Sequence, residues 1–153
     1  LAKAYGLNVT ATTRRETMTD ALVENGADAA VLDVKNALQT EQSFDGIVDM
    51  VGTITLTNSI AHLNQGGHVC LIGLLSGEWI MKNFNPFILA GKTLTVFDST
   101  EVKPELVTEM FDLIAKDQLS IPIAKVFKLD EIKAAHEYVM ASRELGQVIV
   151  DND

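Results

Sequence analysis

The chain has 153 residues, 47% of them apolar and 22% charged, an ordinary composition for one domain with a real core. Twelve basic residues against 21 acidic ones give a formal net charge of −9, and the basic residues form no stripe, which argues against nucleic acid or an anionic membrane surface as a general partner. No apolar run is long enough to span a bilayer.

LAKAYG, residues 1–6, reads as the end of a helix already under way, so the sequence is expected to begin inside a longer polypeptide. Residues 7–13 form the first predicted strand. Residues 17–25 follow as a helix, with Met18, Ala21 and Leu22 on one face and Asn25-Gly26 as the stop. A short buried strand is expected at 29–32. DGIVDMV, residues 45–51, is the next strand and is followed by Gly52. A helix is predicted over 57–63, ended by NQGG at 64–67. The strand at 68–72 is followed at once by Gly73. Residues 76–92 form an irregular connector with the only Trp of the chain. TLTVFD, residues 93–98, is a further strand. Lys103-Pro104-Glu105 opens a helix to 116, with Pro in the first turn and an acid near the positive helix end. After Gln118 come the strand AKVFKL, a helix with Ala134, Ala135 and Tyr138, and the strand QVIVD. Apolar runs too uniform to have a wet face, alternating with helices, predict an α/β fold: a parallel sheet with helices on both faces.

Cys70 is the only cysteine, so neither an intrachain disulfide nor a cysteine-based zinc cluster can form. Its place in HVCLIG reads as a small buried core residue, and a reducing, cytoplasmic setting is expected. His62, His68 and His136 show no metal-ligand spacing. Ser59, Ser76 and Ser99 lack a nucleophile elbow. Asp45 reads as a strand-entry turn, and Asp49 as a local cap or hydrogen-bond acceptor. No acid–base pair is assigned.

AKAYGLNVTATTRRE, ENGADAAVLD, FDGIVDMVG and GGHVCLIG, in that order, resemble the medium-chain dehydrogenase/reductase superfamily, and look most like its zinc-independent quinone oxidoreductase-like branch. FKLDEIKAAHEYVMASRELGQVIV is similar to the family's C-terminal end, with Gln147 where the family has Lys. The resemblance implies a Rossmann-like parallel sheet whose first strand and Gly-rich turn are missing from this sequence, since no GxGxxG occurs in it. Residues 1–118 would be a partial nucleotide-binding domain. Residues 119–153 would be a β-α-β segment returning to an absent catalytic domain. In the 3-2-1-4-5-6 order of that fold the missing strand lies between two that are present. It is expected to be supplied by other residues, or its neighbours close up or borrow pairing from another chain, because unpaired buried backbone groups are costly.

The resemblance also places a cofactor. At the end of the second strand of such folds an acid selects NAD, whereas arginine holds the 2′-phosphate of NADP. This sequence has Thr12, Thr13, Arg14 and Arg15 there, and the first acid, Glu16, comes later. Thr13 can donate to a phosphate oxygen and the two arginines can neutralise it, so NADPH (NADP) is the expected cofactor. The plain alternative is a solvated charge pair near a helix start. Ligands lie outside the carboxyl ends of parallel strands. Val51 and Gly52 would then lie on the adenosine side. Ile72, Gly73 and Leu74 would lie near the nicotinamide, and Phe97, Asp98 and Ser99 near the nicotinamide or a subunit interface. For each glycine the plain alternative is a turn residue. For Asp33, adenine contact is the weaker reading and a turn the stronger.

The reading that follows is an NADPH-dependent oxidoreductase of the quinone or conjugated-carbonyl reductase type, acting on a small-molecule substrate. It has no catalytic residue and no metal in this chain, and the 153-residue polypeptide alone is expected to be inactive. Rivals are a zinc alcohol dehydrogenase with its ligands in the absent domain, an adenosyl-binding methyltransferase-like domain, and a non-catalytic fragment. A homodimer through the edge strand 93–98 is expected. The connector residues Trp79, Phe84 and Phe87 are read as core cover in preference to a partner surface.

Overall fold

The computed structural model describes residues 1–117, 119–142 and 144–152. The described strands are β1 (Thr10–Thr13), β2 (Ala29–Val34), β3 (Ala37–Leu38), β4 (Phe44–Asp49), β5 (Leu63–Leu71), β6 (Thr93–Val96), β7 (Ile123–Lys128) and β8 (Gln147–Asp151). The α-helices are α1 (Thr19–Glu24), α2 (Thr53–Ala61), α3 (Pro104–Lys116) and α4 (Ile132–Ala141). The strands fall into three sheets, ordered β1-β2-β3, β4-β5-β6 and β7-β8. β1 and β4, the expected neighbours of the missing strand, belong to different sheets. Two compact units divide the chain: Leu1–Ala30 with Glu105–Asp153, and Val31–Pro104. The domain boundary read at Gln118 lies outside the described residues.

In the first unit, Leu1 to Leu7 carry a helix-end signature. Leu7 N–H donates to the Ala2 carbonyl at 3.2 Å and Gly6 N–H to the Lys3 carbonyl at 2.9 Å, with Gly6 at φ +74. This is the double bond pattern of a Schellman cap, whose left-handed position suits glycine. It agrees with LAKAYG read as a helix tail. β1 starts at Thr10 and not at Leu7, because the residues before it are held otherwise. Val9 N–H donates to Asp28 Oδ2 at 2.7 Å, and Lys3 Nζ donates to both Asp28 oxygens at 2.8 and 2.9 Å. The Lys3 hydrogen bond, then the Val9 amide, holds the Asp28 carboxyl below its ordinary range. The helix predicted over 17–25 is a 3-10 turn, Glu16–Met18, followed by α1. The C-terminal segment is the β-α-β unit read from the sequence, with β7 and β8 parallel. Phe127 and Ala135 are its buried residues, and Phe127 meets Tyr138 edge-on at 5.7 Å between ring centroids.

In the second unit β4, β5 and β6 are parallel, with Ile47 opposite Val69 and Val69 opposite Leu94. Leu56 and Ile60 of α2 pack with Leu63, Val69 and Leu71 of β5, flanked by Ile47, Met81, Ile88, Leu89 and Leu94. Strand alternation sends Val48, Cys70 and Ile72 to the opposite face, where Val48 is 63% exposed. Cys70 is therefore half-buried and not the core residue expected. In the connector, Met81, Ile88 and Leu89 reach the core, while Trp79 and Phe87 are exposed. The aromatic residues read as core cover are thus at the surface.

Three boundaries differ from the sequence reading for local reasons. α2 begins at Thr53, ahead of the predicted residue 57, because Gly52 serves as its N-cap. NQGG does not end a helix but lies within β5. There the register jumps from Phe44 opposite Leu63 to Gly46 opposite His68. A Cβ on Gly67 would come within 2.8 Å of the Asn64 carbonyl oxygen, so the bulge requires glycine. The short strand β3 was not foreseen. It pairs antiparallel with β2 through Lys35 and Asn36, at φ 54 and 67, the two left-handed positions of a type I′ hairpin turn. A lysine is a poor occupant there, which hid the turn in the sequence. Replacing the pair by Asn-Gly (K35N with N36G) should raise stability by about 1 kcal/mol, read as a higher urea midpoint at unchanged slope.

Candidate functional site

The carboxyl end of β4 is built around Asp49. Its side chain is buried, 4% exposed, and a carboxylate there needs donors on every side. Val51 N–H and Gly52 N–H both donate to Oδ1 at 3.0 Å. The Ser59 hydroxyl donates to Oδ2 at 2.8 Å. The Thr55 hydroxyl lies 2.9 and 3.0 Å from the two carboxylate oxygens and 3.0 Å from the Gly52 carbonyl, and shares its one proton among them. One side chain thus folds the turn after β4 back onto the strand and fixes the first two turns of α2. The sequence reading has Asp49 as a local cap or hydrogen-bond acceptor, which the Val51 and Gly52 amides bear out, and it does not include the reach to Thr55 and Ser59. The available signal was the spacing of Thr55 and Ser59, one helical turn apart and so on the same face of α2.

The turn from β4 into α2 and the end of β5 are laced together. Ile72 N–H donates to the Asp49 carbonyl at 2.9 Å and Ser76 N–H to the Val51 carbonyl at 3.0 Å. The Thr53 hydroxyl donates to the Glu78 carbonyl at 2.9 Å. Gly52 sits at φ 115 and ψ −150, a conformation essentially restricted to glycine. A Cβ there would also come 3.0 Å from Leu74 Cδ2. A Cβ on Gly73 would collide with the Met50 carbonyl oxygen. Both glycines therefore let one backbone approach another. Val51, Gly52, Ile72, Gly73 and Leu74 are brought together at one corner of the second unit.

β6 ends at Val96, and Phe97 N–H continues the ladder to the Leu71 carbonyl at 2.9 Å. Asp98 then caps the 3-10 turn Ser99–Glu101. Its Oδ1 accepts from the Thr100 hydroxyl at 2.7 Å and the Thr100 amide at 2.8 Å. These two bonds, the hydroxyl first, hold its carboxyl below the ordinary 3.8.

In the first unit, Thr12 and Thr13 end β1, and Arg14 and Arg15 follow, both exposed. The Thr13 oxygen accepts Arg15 N–H at 3.1 Å and its proton points to the Arg15 carbonyl at 3.4 Å. Met18 N–H donates to the same carbonyl at 3.0 Å. Thr13 therefore shapes the turn that presents the two guanidinium groups.

His62, His68 and Asp45 have structural partners. His62 ends α2, with Nδ1 2.9 Å from the Asn58 carbonyl and Nε2 3.1 Å from the Thr40 carbonyl. His68 Nε2 pairs with Thr95 Oγ1 at 2.6 Å, and His136 is exposed on α4. Asp45 lies inside β4, where it accepts from Asn64 at 2.8 Å. Asp33 stands in β2 opposite Leu38. Among the described residues no group of three or more His, Cys, Asp or Glu side chains is gathered as a metal would need. The donor set of the described residues does not fit zinc.

Asp49→Ala leaves two amides and the Ser59 hydroxyl without their acceptor, the Thr55 hydroxyl keeping only the Gly52 carbonyl, and should cost about 3 kcal/mol, measured by urea unfolding. The lowered Asp98 carboxyl favours the folded state at pH above the ordinary carboxylate range, and this contribution fades as pH falls through the lowered value. Thr100→Ala removes the first of its two donors. By carbon-detected NMR, Asp98 should then titrate closer to 3.8.

The profile of the family described as zinc-binding dehydrogenase matches residues 20–150. The Bacillus subtilis protein YhfP, assigned by name as a quinone oxidoreductase, is 29% identical over 95% of this chain and 47% of its own length. The crystal structure of YhfP with NAD bound matches 97% of this chain and 48% of that one, at 26% identity and a TM-score of 0.75. The quinone oxidoreductase of Sus scrofa is 26% identical over 94% of this chain and 46% of its own. Escherichia coli K-12 YhdH, solved with bound NADPH, shares the fold at 24% identity and a TM-score of 0.73, over 97% of this chain and 48% of that one. The chain spans about half the length of the curated relatives it matches. The methyltransferase alternative is set aside by these matches. Rossmann-type α/β architecture and a family match running over most of its residues agree: this chain belongs to the zinc-binding dehydrogenase family, as a quinone oxidoreductase-like member of the medium-chain dehydrogenase/reductase superfamily.

Proposed function

We propose that this chain is the cofactor-binding part of an NADPH-dependent oxidoreductase that reduces a quinone or a conjugated carbonyl compound. Family membership supports a nicotinamide cofactor, which when bound supplies the hydride. The choice between the two nicotinamides does not follow from the relatives, since YhfP was solved with NAD and YhdH with NADPH. It rests on one observation: two exposed arginines directly after β1, with no acid before Glu16. A carboxylate at that place accepts from ribose hydroxyls and repels a 2′-phosphate. A guanidinium fork does the reverse, matching phosphate oxygens with paired N–H donors. The Thr13–Arg15 turn holds the backbone from which both side chains project.

The remaining tasks of this chain are binding and orientation. We read Val51, Gly52, Ile72, Gly73 and Leu74 as the corner that meets the flat parts of the nucleotide, and Phe97, Asp98 and Ser99 as its neighbours on the nicotinamide or subunit side. Substrate selection belongs to groups outside this chain. We also propose a homodimer through β6, which is an edge strand with exposed Val96 and Phe97.

Fluorescence titration of the full chain should give tighter binding of NADPH than of NADH. Replacing both arginines (R14A with R15A) should weaken NADPH binding by about tenfold or more and leave NADH within about twofold. Equal losses for both nucleotides, or a preference for NADH in the unaltered chain, would overturn the phosphate reading. Light scattering should report a dimer. Phe97 N–H faces β5, so alternation puts the Val96 N–H on the open edge, and Val96→Pro should give monomers. A chain that is monomeric before substitution refutes the dimer.

A further inference from the structure

Asn25-Gly26, the dipeptide that ends α1, differs chemically from every other asparagine position. The amide nitrogen after an asparagine can attack the side-chain carbonyl carbon and close a cyclic imide, and a Cβ on the following residue hinders that approach. Every other asparagine of the chain is followed by a residue with a Cβ. Asn25 and Gly26 are both exposed, and a Cβ built on Gly26 would meet nothing within 4 Å, so the turn is open. Gly26 sits at φ 102. Its N–H donates to the Val23 carbonyl at 2.9 Å, and Ala27 N–H donates to the Leu22 carbonyl at 3.2 Å, the paired bonds of a Schellman motif. The attack needs those bonds open, and α1 resists little. It is six residues long with none buried, shorter than a helix that holds itself in water, and such ends fray at small cost. Asp45-Gly46 can close the same imide by losing water, but it lies inside β4 with Gly46 opposite His68 and is held by the ladder.

We propose that Asn25-Gly26 is a self-modifying site whose product releases the Asp28 anchor ahead of β1. The Gly26 nitrogen loses its proton and bonds to Asn25 Cγ, the Cγ–Nδ2 bond breaks, and ammonia leaves. Water then adds to one imide carbonyl, and the C–N bond there breaks. Opening on the Cγ side gives aspartate. Opening on the main-chain side gives isoaspartate, with the backbone routed through Cβ and Cγ. Water is the co-reactant, and nothing is oxidised or reduced. Isoaspartate lengthens the chain inside the Schellman turn, so the Gly26 and Ala27 bonds cannot both re-form. Its carboxylate also stands beside Glu24 at the negative end of α1, where an anion is unfavourable. Just beyond the turn, Asp28 accepts Val9 N–H at 2.7 Å and Lys3 Nζ at 2.8 and 2.9 Å, and its own N–H donates to the Val9 carbonyl at 2.8 Å. Those contacts depend on the turn that is lost.

The test keeps the full chain folded in mildly alkaline buffer beside a urea-unfolded sample, and reads both by peptide mass and by enzymatic methylation of isoaspartate. Position 25 of the folded sample should gain the mass of an amide-to-acid exchange at least about tenfold faster than any other asparagine, with isoaspartate the larger product. Asn25→Gln, whose longer side chain closes no such ring readily, should stay unconverted there. In the converted chain the Val9 amide should exchange with solvent at least about tenfold faster, and Asp28 should titrate closer to 3.8. A folded sample unconverted at position 25 overturns the proposal, and the unfolded sample then shows whether the fold or the local chemistry forbids the step. Isoaspartate at Asp45 of the folded sample as fast as at position 25 overturns the selection by the open turn. A converted chain with Val9 exchange and Asp28 titration unchanged overturns the release of the anchor.

Discussion

Charge buried at the end of a parallel strand sets the geometry of the second unit. Moving a carboxylate out of water costs several kcal/mol unless donors surround it. Asp49 gathers them from two backbone amides and two hydroxyls. That requirement dictates where β4 stops, how the chain reverses, and where α2 begins. With α2 fixed, Leu56 and Ile60 are held against Val69 and Leu71, and the apolar core follows. The polar cluster and the apolar core thus share the same turns of α2, Thr55 and Ser59 serving the one, Leu56 and Ile60 the other.

Glycines let that arrangement close. Gly52 takes a backbone conformation closed to other residues, and Gly73 lets the end of β5 lie on the Met50 carbonyl. A sequence reading of glycine after a strand naturally thinks of a ligand, since a missing side chain leaves room. Here the room at Gly73 is filled by the protein itself. The corner is rigid because its backbones touch, and a rigid corner is what a site built on positioning needs.

The first unit uses the same device at the surface. Asp28 joins the helix-end residue Lys3 to Val9, just ahead of β1. Thr13 then shapes the turn carrying Arg14 and Arg15. Being exposed, these bonds are individually weak, and their effect is directional: they set where the arginines project from. The two guanidinium groups were legible in the sequence as adjacent arginines directly after the first predicted strand. Their presentation by Thr13 was not, because a hydroxyl can equally donate to a ligand or close a local turn.

The alternation of strands and helices, β3 excepted, and the family were legible in the sequence alone. Apolar periodicity is local, and it survives whatever the elements pack against. The β7-α4-β8 unit and the start of α3 at Pro104 were readable for that reason. Tertiary structure decided the rest. It placed NQGG inside a bulged strand, formed the Lys35-Asn36 hairpin, left Cys70 half-buried and Trp79 exposed, and extended Asp49 from a local acceptor to a hub that also holds Thr55 and Ser59. Each of these depends on a partner distant in sequence or on a backbone conformation that residue type only permits. Linear order records neither, because the donors that satisfy a buried carboxylate converge only when the chain has folded.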